Sequence, residues 1–146
     1  MGDTHRQVEL EKIGPARFRA TNERGGVVTL GDGTDPDFTP VELLLAALAG
    51  CGAVTIDPIT ARRAAATTFR AVATGEKERD EGGTRMGQLT VTFEIEFPEG
   101  PEGDAARAIL PSTVERTHER WCTVSRTVEA GAPVVMRLGE STTSPR

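Results

Sequence analysis

Two residues of this chain carry a thiol, a nucleophile that works without a cofactor: Cys51 and Cys122. A thiolate attacks electrophilic oxygen or sulfur, and two neighbouring thiols can turn a sulfenic acid into a disulfide. The cysteines stand 71 positions apart, which fits no zinc-ribbon spacing, and His5 and His118 are the two histidines available as further soft ligands. A structural metal is therefore not expected. In a reducing compartment a purely structural disulfide is disfavoured, which leaves either two inert buried thiols or a redox pair. A single cysteine on an apolar helix is ordinarily a small hydrophobe. Proximity of the two sulfurs separates these readings, and the sequence does not supply it.

The residues that must position Cys51 are legible. Thr39-Pro-Val-Glu-Leu-Leu-Leu-Ala-Ala-Leu-Ala-Gly-Cys51 opens with an N-cap hydroxyl, places Pro40 at the first helical position and sets Glu42 three residues after Thr39 to close a capping box. Leu44, Leu48 and Cys51 follow at spacings of four and three and share one face. Ala46, Ala47, Ala49, Gly50 and Gly52 let another backbone approach closely, so Cys51 is expected at or near burial. The helix is expected to run on toward Arg62-Arg63-Ala64, with a kink or break near Asp57, because Pro58 removes the bond to the Val54 carbonyl.

Around that helix the sequence predicts a meander of three strands, Gln7–Ile13, Ala16–Thr21 and Val27–Leu30, with a turn over Asn22–Gly26 and a loop over Gly31–Asp37. Phe69–Glu76 alternates weakly. Leu89–Phe97 alternates strictly, with Leu89, Val91, Phe93, Ile95 and Phe97 on one face, and charged, glycine-rich Glu76–Gly87 is expected to be a mobile loop between them. Asp104–Arg120 predicts a second helix with Ala106, Ile109, Leu110, Val114 and Thr117 as its apolar stripe, disturbed at Pro111. A helical turn near Val124–Val128, a breaker at Gly131–Pro133, a strand over Val134–Leu138 and a loose tail over Ser141–Arg146 complete the expectation. Trp121 is expected to anchor a core or an interface, and His118 is read as an exposed helix histidine outside the catalytic set.

A chain of 146 residues fits a single domain, 1–146, able to bury a core without staples. Hydrophobic residues at 37% and charged residues at 27% are ordinary for a globular chain, and no apolar run is expected to reach the length that crosses a bilayer. The first residues lack a secretory signal, so the expected compartment is the cytoplasm. A formal charge of −5 argues against a nucleic-acid partner, since such proteins place basic patches against phosphates.

The Thr39–Cys51 segment resembles the "S/N-P-x-E-L-x-x-A-A-x-x-G-C" helix of the OsmC/Ohr family of osmotically inducible and organic-hydroperoxide-resistance proteins. Glu119-Arg-Trp-Cys122-Thr-Val-Ser-Arg-Thr-Val128 is similar to that family's "C-P/S-V-S-x-x-L" segment. The resemblance spans about Gln7 to Leu138, and the Pro-Val-Glu pattern is nearest the OsmC-like branch, with Val41 where the peroxidases of the family carry a carboxylate and Glu42 one place later. It implies an α+β fold in an intertwined homodimer, antiparallel sheets around two central helices, with two sites at the interface. It implies reduction of organic hydroperoxides or hydrogen peroxide, with Cys51 as peroxidatic thiol, Cys122 as resolving thiol, and a dithiol reductant, lipoyl-type dithiols among the candidates. No metal or organic cofactor is implied. An arginine from the N-terminal sheet is implied as the group that lowers the thiol pKa; Arg24 is the first choice, ahead of Arg19 and Arg17, and Glu42 is the carboxylate on hand. The alternative is a noncatalytic dimer of the same fold that binds a small hydrophobic molecule at its interface.

Overall fold

A computed structural model describes residues 4–140. In chain order its elements are β1 (Val8–Gly14), β2 (Arg17–Asn22), β3 (Val27–Leu30), α1 (Pro40–Ala61), β4 (Thr68–Asp80), β5 (Gly83–Glu96), α2 (Pro101–Arg116), a π-helical segment (Thr117–Trp121) and α3 (Thr123–Ala130). The protomer is α+β, with one antiparallel sheet in the order β1-β2-β3 and a second made of β4 and β5. The tail expected over Ser141–Arg146 lies outside the described residues.

The predicted meander forms, and its turns follow from side-chain chemistry. Asn22 Oδ1 accepts the amides of Arg24 (3.1 Å) and Gly26 (2.8 Å), while Gly25 takes a φ of 92° that a side chain would resist. Leu30 then bridges to Phe38 and hands the chain to α1. This sheet has no extended packing against any helix of its own protomer, and Val8, Leu10, Val27 and Val28 are exposed on it.

The core forms around α1. Thr39 and Glu42 make the reciprocal capping box: the Glu42 amide donates to Thr39 Oγ1 (3.3 Å) and the Thr39 amide to Glu42 Oε1 (2.8 Å). The helix packs on β4, on α2 and on α3, burying Leu48, Gly52, Ile56 and Thr60. No break occurs at Pro58; the helix continues through it to Ala61, and the Thr60 hydroxyl donates back to the carbonyls of Ile56 (3.3 Å) and Asp57 (3.2 Å). At 22 residues α1 is also long and apolar enough to cross a bilayer, contrary to the expectation from sequence. Its packing against the hairpin and the other helices makes it the central helix of the fold.

The charged segment between the predicted fourth and fifth strands is not a loop. Pairing continues from Thr68↔Glu96 out to Asp80↔Gly83, past a bulge between Thr74 and Glu76, and closes in a tight turn where Asp80 Oδ1 accepts the Gly82 amide at 2.8 Å. Cross-strand charges explain why so polar a segment pairs: Arg85 meets Glu78 (3.3 Å) and Asp80 (3.2 Å). The alternating face of β5 turns inward as expected, with Phe93 edge-on to Phe69 at 6.2 Å between centroids and Phe97 buried.

Two further expectations change. The second helix starts earlier, at Pro101, and gives way after Arg116 to a π turn in which the Cys122 amide donates to Thr117 O at 2.8 Å. The strand expected at Val134–Leu138 is absent; the segment pairs with no strand, and its Val134, Val135, Met136 and Leu138 are exposed, Leu138 at 99%.

Candidate functional site

Thr113, Thr117 and Cys122 are buried in succession, at spacings of four and five. The regular stripe of α2, Ala106, Ile109, Leu110 and Thr113, leads to Thr117, from which an uninterrupted α-helix would next turn Trp121 inward. The π turn holds one residue more, so the inward place falls to Cys122, which is 4% exposed, while Trp121, expected as a core or interface anchor, is 43% exposed in the protomer. Cys122 then stands at the N-cap position of α3, where its carbonyl accepts the Arg126 amide at 3.1 Å.

Cys51 arrives from the middle of α1, partly exposed, and α1 packs directly on α3 and on the π segment. Both cysteines are free thiols, and they are near enough that each alters the other's ionisation. Burial pushes the Cys51 thiol up from its ordinary value; the amides of Val124 and Thr123 act against this, but a neighbouring Cys122 thiolate reinforces it. At Cys122 burial also acts upward and is the largest single influence, yet the Ser125 hydroxyl, the amides of Ser125 and Val124 and the Cys51 thiol together outweigh it, leaving Cys122 below its ordinary value. In its neutral form the Cys122 side chain makes no capping hydrogen bond to α3. Ionised, its sulfur is an acceptor for first-turn amides at the positive end of the helix.

Cys122 opens onto a cavity of about 620 Å³. Its apolar wall comes from Leu48 on α1, Leu89, Val91 and Phe93 on β5, Val114 on α2 and Val128 on α3; its polar groups include Glu115, His118, Ser125 and Glu129. His118 Nε2 and Glu129 Oε1 pair across it at 2.7 Å, tying the π segment to α3. Gly52 belongs to the wall because Phe93 leans over it: a Cβ there would lie 2.6 Å from the ring. The volume suits a small organic molecule, and the wall suits its hydrocarbon part.

The other two residues singled out from the sequence are not gathered at the thiols in the protomer. Glu42 stands nine residues before Cys51, about 13 Å along the helix axis, with its carboxylate on the Thr39 amide, a bond that holds its pKa below the ordinary range. Arg24 lies in the exposed turn of the N-terminal sheet, which has no extended packing on α1. Arg17 is engaged by Asp37 and Asp35, and Arg19 by Glu11 at 3.2 Å. Among the described residues, no arginine is one of the groups that set the ionisation of either cysteine. Ser125 and the Val124 amide were missed from the sequence; their position just after Cys122 was the available signal.

The model of the family described as OsmC-like protein matches residues 31–137, which contain both cysteines and the helices that carry them. The chain belongs to the OsmC-like family. It is 31% identical over 135 residues to uncharacterized proteins of Mycobacterium tuberculosis and Mycobacterium bovis, covering 90% of this chain and 95% of theirs. Among solved structures it is similar to an OsmC-like protein of unknown function from Vibrio cholerae, with a TM-score of 0.70 at 14% identity, covering 86% of this chain and 94% of that one. It also resembles an OsmC-like protein from Mycoplasma pneumoniae, with a TM-score of 0.68 at 16% identity over 87% and 89% of the two chains. The organic hydroperoxide resistance protein OhrB of Bacillus subtilis matches with a TM-score of 0.53 at 16% identity over 85% and 90%. At these identities the structural likenesses establish the OsmC-like fold.

Proposed function

We propose that this OsmC-like protein is a cytoplasmic, thiol-dependent hydroperoxide reductase that uses Cys51 and Cys122 as its redox pair and is returned to the dithiol by a lipoyl-type or similar dithiol. The observation that carries the reading is the meeting of the two thiols beside an apolar cavity, 71 residues apart in sequence. Two electrons leave the pair as the peroxide bond is cleaved, and the sulfurs end as a disulfide. Membership of a family that includes peroxide-resistance proteins supports the same chemistry.

The working unit is a homodimer on this reading. An N-terminal sheet that packs little on the helices of its own protomer and an unpaired apolar segment at Val134–Leu138 both have surface to bury against a second copy. Arg24 serves the thiols from that second copy, and Glu42 acts chiefly through the cap of α1. Adding an organic hydroperoxide to the reduced protein tests the proposal: consumption of one peroxide per chain with formation of a Cys51–Cys122 disulfide is expected, and absence of that disulfide removes it.

The apolar wall of the cavity and the lack of an arginine among its described lining residues favour one second reading, a dimer that binds a small hydrophobic molecule without turning it over. Saturable binding of an apolar alcohol to a protein inert toward hydroperoxide would select it.

A further inference from the structure

Resting on the peroxidase reading, we propose that Arg17 is a positioning residue: it clasps the N-terminal sheet to the loop that leads into α1, and so sets where the Arg24 turn reaches on the second copy. Arg17 opens β2, and its guanidinium meets two carboxylates of that loop, Nε with Asp35 Oδ2 at 2.9 Å and Nη2 with Asp37 Oδ2. The loop is shaped to present both. Asp35 Oδ1 accepts the Asp37 amide at 2.9 Å, and the Gly31 amide donates to the Phe38 carbonyl at 3.0 Å beside the Leu30–Phe38 bridge. Thr39, the cap of α1, follows directly, so clasp and cap share one short segment. On the other side of the joint Ala16 holds a φ of 51°, a conformation that a non-glycine residue keeps only where its surroundings fix it.

Two features make the angle of this joint matter. The sheet has no extended packing on the helices of its own protomer, so its direction from α1 is set at the joint. The Arg24 turn lies at the opposite end of β2 from Arg17; Arg17–Asn22 spans about 17 Å at strand rise, and a tilt of about 10° at the clasp carries the turn about 3 Å. A misplacement of about 1 Å is enough to cost about 100-fold in rate. Arg17 and its carboxylates remain partly exposed, where ion pairs add little to stability. Two carboxylates on one guanidinium nevertheless fix a direction, which a single charge pair does not. Arg17 therefore serves placement more than stability.

Single-turnover oxidation of the reduced full-length protein by cumene hydroperoxide, followed by rapid mixing across pH, tests the role. Arg17→Ala is expected to slow the first step about tenfold, to raise the pH at which that step is half-maximal, and to sediment as wild type does. Asp35→Asn with Asp37→Asn is expected to do the same although Arg17 is still present, and it carries the test if Arg17→Ala fails to fold. In the Arg24→Ala background either change is expected to cost less than about twofold more, because the clasp acts through Arg24. Losses that multiply with Arg24→Ala, a wild-type rate in the carboxylate variant, or a slow Arg17→Ala that has become monomeric would each overturn the placement role while leaving the peroxidase intact. A wild type that consumes no hydroperoxide would overturn the peroxidase reading, and the role with it.

Discussion

Glu42 has a complete structural account in the cap of α1, whatever part it takes in chemistry. Its carboxylate completes a reciprocal cap with Thr39, and that bond holds its pKa low. A carboxylate whose pKa is lowered on folding contributes stability above its unfolded pKa, and the contribution is lost as pH falls through the folded value. Thr39→Ala should cost about 1 kcal/mol in urea denaturation at pH 7, with the difference from wild type shrinking in acid. Glu42→Gln keeps an acceptor for the Thr39 amide and should retain both the helix and peroxide reduction; loss of turnover in a fully folded Glu42→Gln would assign the carboxylate a chemical role instead. The cysteines make a paired prediction of opposite sign. In Cys51→Ser the Ser125 hydroxyl and the amides of Ser125 and Val124 still act against burial at Cys122, so its alkylation by iodoacetamide should persist to lower pH than that of Cys51 in Cys122→Ser. In Cys122→Ser, burial should hold the Cys51 thiol neutral to higher pH than free cysteine. Alkylation rates measured against pH check both directions.

At the scale of elements, glycine permits two close approaches, of α1 to the hairpin at Gly52 and of α2 to the segment that precedes it at Gly103. A Cβ at Gly52 would press into the Phe93 ring, which must shift, while one at Gly103 would collide with the Pro98 carbonyl, which has no rotamer to yield. Gly103→Ala should therefore destabilise by about 3 kcal/mol, and Gly52→Ala by about 1–2 kcal/mol, in chemical denaturation. Because Gly52 and Phe93 both line the cavity, Gly52→Ala should also slow reduction of cumene hydroperoxide more than that of hydrogen peroxide. Equal slowing of the two would place the bulky substrate elsewhere. The π turn has the other decisive role, since it sets whether Trp121 or Cys122 faces α1, and deleting one residue within it should bring loss of disulfide formation even where the helices survive.

The described residues leave apolar surface on two segments far apart in sequence, the N-terminal sheet and Val134–Leu138. Separate exposed patches on an otherwise folded protomer are what an intertwined pair of chains would cover. Sedimentation at micromolar concentration is expected to give a dimer, and Val135→Asp with Leu138→Asp to shift it toward monomer. A wild-type chain that sediments as a stable monomer would remove the proposed route by which Arg24 reaches the thiols.

The sequence by itself determined what depends on neighbours in the chain. The capping box, the three-strand meander, the alternating face of β5 and the apolar stripe of α2 each follow from periodicity or turn chemistry that acts over a few residues. It also pointed to the two cysteines, through motifs that sit in order along the chain. Local rules failed where distant partners intervene. The charged arm of the hairpin reads as a loop until Arg85 finds Glu78 and Asp80, and Pro58 reads as a break until packing on both sides of it holds α1 together. The alternating pull of Val134–Leu138 toward a strand went unmet in the protomer, because a strand exists only by pairing and the segment joins no sheet edge. The meeting of Cys51 and Cys122, the cavity beside them and the phase of the π turn were decided by the tertiary structure alone, because each depends on how α1, β5, α2 and α3 pack, and residue spacing carries no measure of that distance.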